Sequence, residues 1–79
     1  MDRLSFDHAV QNERLGRWLH HGPPTGMSAN QLCLWQADVW MLIMTDERAG
    51  RIETTFRRFD DEATALDDAL DGLRFMKQF

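Results

Sequence analysis

Few residues in this chain are of a type that does chemistry. The candidates are His8, His20, His21, Cys33, Ser5 and Ser28, with a run of aspartates at Asp60, Asp61, Asp67, Asp68 and Asp71. Nucleophilic catalysis needs a serine or cysteine beside a placed base. The bland reading is that Ser5 and Ser28 cap or turn the chain, Cys33 packs as a small apolar residue and the histidines end a helix. A metal site could draw on His20, His21 and Cys33, but adjacent helical histidines point about 100° apart and no Cys-x-x-Cys or His-x3-His pair is present. Asp67 and Asp68 as an acid-base pair would need a pocket, and the pattern puts them on an exposed helix face. The glycine pair in Gly22-Pro23-Pro24-Thr25-Gly26 has neither the Lys-Ser/Thr of a phosphate loop nor Gly-x-Gly-x-x-Gly spacing. No catalytic, cofactor or metal site is expected.

Arg48, Arg51, Arg57 and Arg58 gather around one segment, yet the chain carries a net charge of −4. Phosphate affinity rests on uncompensated positive charge, so direct nucleic-acid binding is not expected. Pairing of these arginines with Glu47, Glu53 and aspartates across a sheet is the ordinary expectation.

The elements that must position these groups follow from periodicity. With 79 residues, 43% of them apolar, and a single cysteine, the chain is one small domain, 1–79, with no disulfide staple. Packing, and a second subunit, are the remaining sources of stability. A helix is expected over about 5–20, capped by Ser5 and stopped by Gly22-Pro23-Pro24, with its broken apolar face pointing to a kink near Gly16 or two short pieces. A loop follows over 22–30. Strands are expected over about 32–36, 39–45 and 51–59, joined by a tight turn at 36–38 and a hairpin loop at 46–50 ending in Gly50 at positive φ. One buried helix over 28–44 is the competing reading. A last helix over about 61–77, capped by Asp60 or Asp61, carries Ala63, Leu66, Ala69, Leu70 and Leu73 inward. The fold expected is α+β: helix, three-stranded antiparallel meander, helix, with both helices on one sheet face. Its core would be Phe6, Val10, Trp18, Leu19, Leu34, Val39, Met41, Ile43, Ile52, Phe56, Leu66, Leu70 and Leu73. No apolar run reaches the roughly 20 residues that span a bilayer, so the chain reads as soluble and cytoplasmic.

Two features remain for function. Residues 1–59 balance their charges, and the whole net charge arises in 60–79, where six acids face Arg74 and Lys77. Helical residues three and four apart lie about 5–6 Å from one another, a spacing comparable with that of phosphates along a strand. Asp60, Asp61, Asp67, Asp68 and Asp71 can therefore imitate nucleic-acid backbone to a basic partner. The second feature is an excess of large apolar residues, which leaves one sheet face open as an interface, either Trp40, Leu42 and Met44 or Trp35, Val39, Met41 and Ile43.

In size, acidity, α/β outline and lack of enzyme motifs, the chain resembles the small phage-encoded anti-CRISPR proteins directed against type I surveillance complexes. That resemblance implies a non-enzymatic inhibitor that binds a Cascade subunit in the bacterial cytoplasm and blocks its DNA track, with the five aspartates as phosphate surrogates. The alternative is a small dimeric adaptor or antitoxin-like partner that works through an apolar sheet face. Salt separates them, because carboxylate recognition weakens with ionic strength and an apolar contact does not.

Overall fold

A computed structural model describes residues 1–78. Its elements run α1 (Arg3–Asn12), a 3-10 turn (Gly16–Trp18), β1 (Leu19–His21), β2 (Leu32–Gln36), β3 (Trp40–Thr45), β4 (Arg51–Phe59) and α2 (Glu62–Lys77). The class is α+β as expected, but the sheet has four strands in the order β1-β2-β3-β4. It is mixed: β1 runs parallel to β2, and the other pairs are antiparallel.

The difference lies in the first 21 residues. The single helix expected over 5–20 is two pieces and a strand. Asp2, and not Ser5, is the N-cap, its Oδ1 accepting from Ser5 N at 2.7 Å. The helix ends at Asn12 because Arg14 turns left-handed at φ 57°. Leu15 N then donates to Val10 O at 2.8 Å and Arg14 N to Gln11 O at 3.3 Å, closing a Schellman motif that sends Leu15 into the core. This break explains why the apolar residues of 4–19 fit no single helical stripe. His20 and His21 consequently sit in a strand and do not end a helix.

The 22–31 segment returns the chain to start β2 beside β1. Its fully buried Ser28 offers a carbonyl to Thr45 Oγ1, while Gln31 N donates to the same hydroxyl at 3.0 Å. No buried polar side-chain atom among the described residues lacks a partner. The competing helix over 28–44 is excluded by the β2–β3 ladder, which pairs Leu32 with Met44 and Gln36 with Trp40.

At the β3–β4 turn, Asp46 Oδ1 accepts from Arg48 N and Gly50 N, both at 2.8 Å. The left-handed residue is Ala49 at φ 62°, and not Gly50. Gly50 is needed for space, since a Cβ there would lie 2.9 Å from Asp46 Oδ2.

The main core lies between the sheet and α2. Leu32, Leu34 and Leu42 meet Ala65, Leu66, Ala69, Leu70 and Leu73, and Phe6 and Leu15 join from the N-terminal side. In α2 it is Ala65 that is buried, while Ala63 is exposed. The parity of β3 is the reverse of the one assigned from sequence: Leu42 faces the helices, with Trp40 and Met44 packed against the cluster. Ile43 is buried with its neighbour Cys33 on the opposite face, and Met41 and Val39 are half-buried. Val10, Trp18 and Leu19 are partly buried at the core margin.

β4 departs most from expectation. Its register against β3 breaks between Leu42, opposite Arg57, and Met44, opposite Ile52. Thr55 holds this bulge, accepting from Met44 N at 2.9 Å and donating to Ile52 O at 2.6 Å. Ile52 and Phe56, both expected in the core, are exposed at 37% and 41%.

Candidate functional site

The aspartates of 60–71 lie at the start and along one side of α2, but they do not form a uniform free surface. Asp61 is the N-cap, accepting from Thr64 N at 2.9 Å. That backbone hydrogen bond, followed by the Thr64 hydroxyl, holds its carboxyl below the usual carboxylate range. Asp67 lies 3.3 Å from the α-amino group of Met1 and stays 61% exposed. Asp68 is 25% exposed and takes a hydrogen bond from Arg57 Nη1 at 2.8 Å. Asp60 and Asp71 are exposed, and among the described residues neither carboxylate makes a hydrogen bond or ion pair, although Asp71 helps to raise the Arg74 guanidinium.

Other charges on α2 tie the N-terminal helix down. Glu62 pairs with Arg3. Arg74 grips Glu13 through two hydrogen bonds, at 2.9 and 2.7 Å, and Lys77 Nζ reaches Glu13 O at 2.6 Å. The Arg74 hydrogen bond pulls the Glu13 carboxyl below its usual value, and the same bond raises the Arg74 guanidinium. Of the four arginines around β4, Arg57 alone makes an ion pair among the described residues, and its partner is on α2 rather than across the sheet. Arg48, Arg51 and Arg58 make none among the described residues.

The open surface expected on Trp40, Leu42 and Met44 is under the helices, with Leu42 at 2% exposure. Its location was missed because the bulge shifts the opening to the flank between α2 and β4. There a groove of about 670 Å³ is lined by Arg17, Trp18, Met44, Ile52, Phe75 and Met76. It continues past Met44 and Phe75 into a second hollow of about 360 Å³ that includes Thr55, Arg57, Asp68, Asp71 and Gly72. Gly72 permits the close helix-sheet approach at its floor, since a Cβ there would lie 2.7 Å from Leu32 Cδ1 and 2.8 Å from Met44 Cε. Of the two faces offered from sequence, the other lies on the side of the sheet away from Leu42, with Ile43 buried and Trp35, Met41 and nearby Val39 half-buried.

The residues of nucleophilic or ligating type are dispersed. His20 pairs with Cys33 across β1 and β2, while His21 alternates to the other face. Cys33 is fully buried, and burial pushes its thiol up. Ser28 Oγ accepts from Thr25 N at 3.2 Å and is held in a turn. Among the described residues no three His, Cys, Asp or Glu side chains gather as a metal site. No helix among them is long and apolar enough to cross a membrane.

The chain matches no protein-family model, no curated protein and no solved structure.

Proposed function

We propose that this chain is a non-enzymatic binding domain that inhibits a basic partner protein through its carboxylates, in the manner of an anti-CRISPR protein acting on a type I Cascade complex in the bacterial cytoplasm. The observation that carries this reading is charge placement: the whole net charge arises in residues 60–79, and Asp60, Asp67 and Asp71 all present exposed carboxylates. A rise of 1.5 Å per helical residue spreads the acids from Glu62 to Asp71 over about 14 Å, with Asp60 and Asp61 just ahead of them, the length of a few nucleotides in a groove that binds backbone phosphate. Asp61 and Asp68 contribute field rather than free ligating oxygens, because a cap and Arg57 engage them.

The test uses a purified type I surveillance complex and its target DNA. Wild-type protein should compete with DNA, and competition should weaken steeply with added salt. The Asp60→Lys, Asp67→Lys variant should lose it while keeping its thermal melt, since the Met1–Asp67 pair is exposed and contributes little to stability. Binding that ignores both charge reversal and salt, or no binding to the complex, would overturn the reading.

A further inference from the structure

We propose that Glu13 is a positioning residue for the acidic surface: by holding Arg74 against the end of α1, it keeps Asp71 open to a basic partner. The inference rests on the reading above, in which the carboxylates of α2 meet that partner.

Residues 60–79 hold six acids and two cations, Arg74 and Lys77. Glu13 engages both cations. Its carboxylate accepts from Nε and Nη2 of Arg74 at 2.9 and 2.7 Å, and its backbone carbonyl accepts from Lys77 Nζ at 2.6 Å. Without the Glu13 carboxylate, Arg74 has one acid within its own helix to turn to. On a helix the neighbours of a side chain lie three and four residues away. For Arg74 these are Leu70 and Asp71 before it, and Lys77 and Gln78 after it. Asp71 is already close enough to raise the guanidinium, as a smaller contribution behind Glu13. An aspartate one turn ahead of an arginine is also the order that the helix dipole favours.

The fold decides which carboxylate wins. Arg14 turns left-handed at φ 57°, so α1 stops with Glu13 N on Ala9 O at 2.9 Å and the Glu13 side chain against α2. A planar guanidinium that meets a carboxylate through two parallel hydrogen bonds is held more firmly than by a single contact along an exposed helix face. The other charges around Asp71 do not take the place of Arg74. Asp67 and Asp68, four and three residues before it, are like charges, and Arg57 is occupied by Asp68.

The experiment has two arms, with circular dichroism melts of every variant. In the first, the Arg74 Nε–H resonance is followed by heteronuclear NMR in the protein alone. Asp71→Asn in the wild type should leave that resonance nearly in place, because its acceptor is Glu13 Oε1. In a Glu13→Ala background, Asp71→Asn should move it. In the second arm a decalysine peptide is titrated at low salt. Glu13→Ala should weaken its binding about threefold, and adding Arg74→Gln should restore the wild-type affinity. A merely structural loss at α1 would not be repaired by removing Arg74. Glu13→Gln, which keeps the side-chain packing, should act in the same direction with a smaller effect. Glu47→Gln removes the same charge at the exposed β3–β4 turn and should weaken binding less than Glu13→Ala does. An Arg74 resonance indifferent to Asp71 in the Glu13→Ala background, a Glu13→Ala loss no larger than that of Glu47→Gln, a failed rescue, or a wild type that ignores decalysine would overturn the proposal. Glu13-dependent binding of decalysine by a chain that does not compete with DNA on the surveillance complex would overturn the anti-CRISPR-like reading and support this one.

Discussion

The two flanks of α2 meet different surroundings. Toward α1 it is closed by buried Phe6 and Leu15 and laced by Asp67 to the Met1 amine, Glu62 to Arg3 and Arg74 to Glu13. Toward β4 the Arg57–Asp68 ion pair spans an open groove with Ile52 and Phe75 at its rim. The difference teaches that carboxylates of one helix can do different work. On the α1 flank Glu62 and Asp67 pair with Arg3 and the Met1 amine, with Asp67 still 61% exposed; on the β4 flank Arg57 engages Asp68, while Asp71, like Asp60 at the entry to the helix, makes no ion pair among the described residues. A net charge is a property of the chain, and a binding surface is what remains after the fold has used its share.

Substitutions that separate the flanks should differ in size. Phe6→Ala removes a ring that is 1% exposed and should cost about 3–5 kcal/mol, read by urea denaturation, a large fraction of a small domain's stability. A loss below that of an exposed residue would mean α1 does not seal the core. Gly72→Val should cost about 1–3 kcal/mol through overpacking, because Met44 can swing toward the groove but fully buried Leu32 has little room to yield. An unchanged urea midpoint would show the α2–sheet approach to be looser than the Cβ distances imply.

Much of this arrangement was legible in the sequence, and the failures have local causes. The apolar stripe of α2 and a capping aspartate at 60 or 61 announced that helix, because both signals are contained in the element itself. β1 escaped notice since three residues, Leu19, His20 and His21, carry no alternation to read. Its existence depends on Arg14 turning left-handed twelve residues after the cap, a conformation that arginine does not advertise. The parity of β3 was undecidable from 39–44, where both faces are apolar. Ile52 and Phe56 alternate as a core strand should, but a bulge held by the Thr55 hydroxyl is tertiary information. The acidic set was visible as composition, whereas its division between ion pairs and free groups needed the positions of Met1 and Arg57.

A smaller effect concerns pH. Thr64 N–H lowers the folded pKa of Asp61, and the Arg74 hydrogen bond does the same for Glu13. The unfolded chain therefore binds more protons in acid, so these contributions are complete above the ordinary carboxylate range and are lost as pH falls through the folded values. Urea midpoints should fall as the pH drops from about 5 to about 2. Asp61→Asn keeps a capping oxygen but cannot titrate, so it should flatten that slope; an identical slope would remove Asp61 from the acid response. Smallest of all, Ile52→Ala on the open flank, where the residue is 37% exposed, should cost no more than about 1 kcal/mol. A loss comparable with Phe6→Ala would mean that β4 is sealed after all.

The contrast between flanks is tested most directly by native-state amide exchange, followed residue by residue. Amides of β2 and of the buried face of α2 should exchange only through global unfolding, while those of residues 53–56 in the bulge exchange by local opening and far sooner. Equal protection of the bulge and β2 would contradict the account.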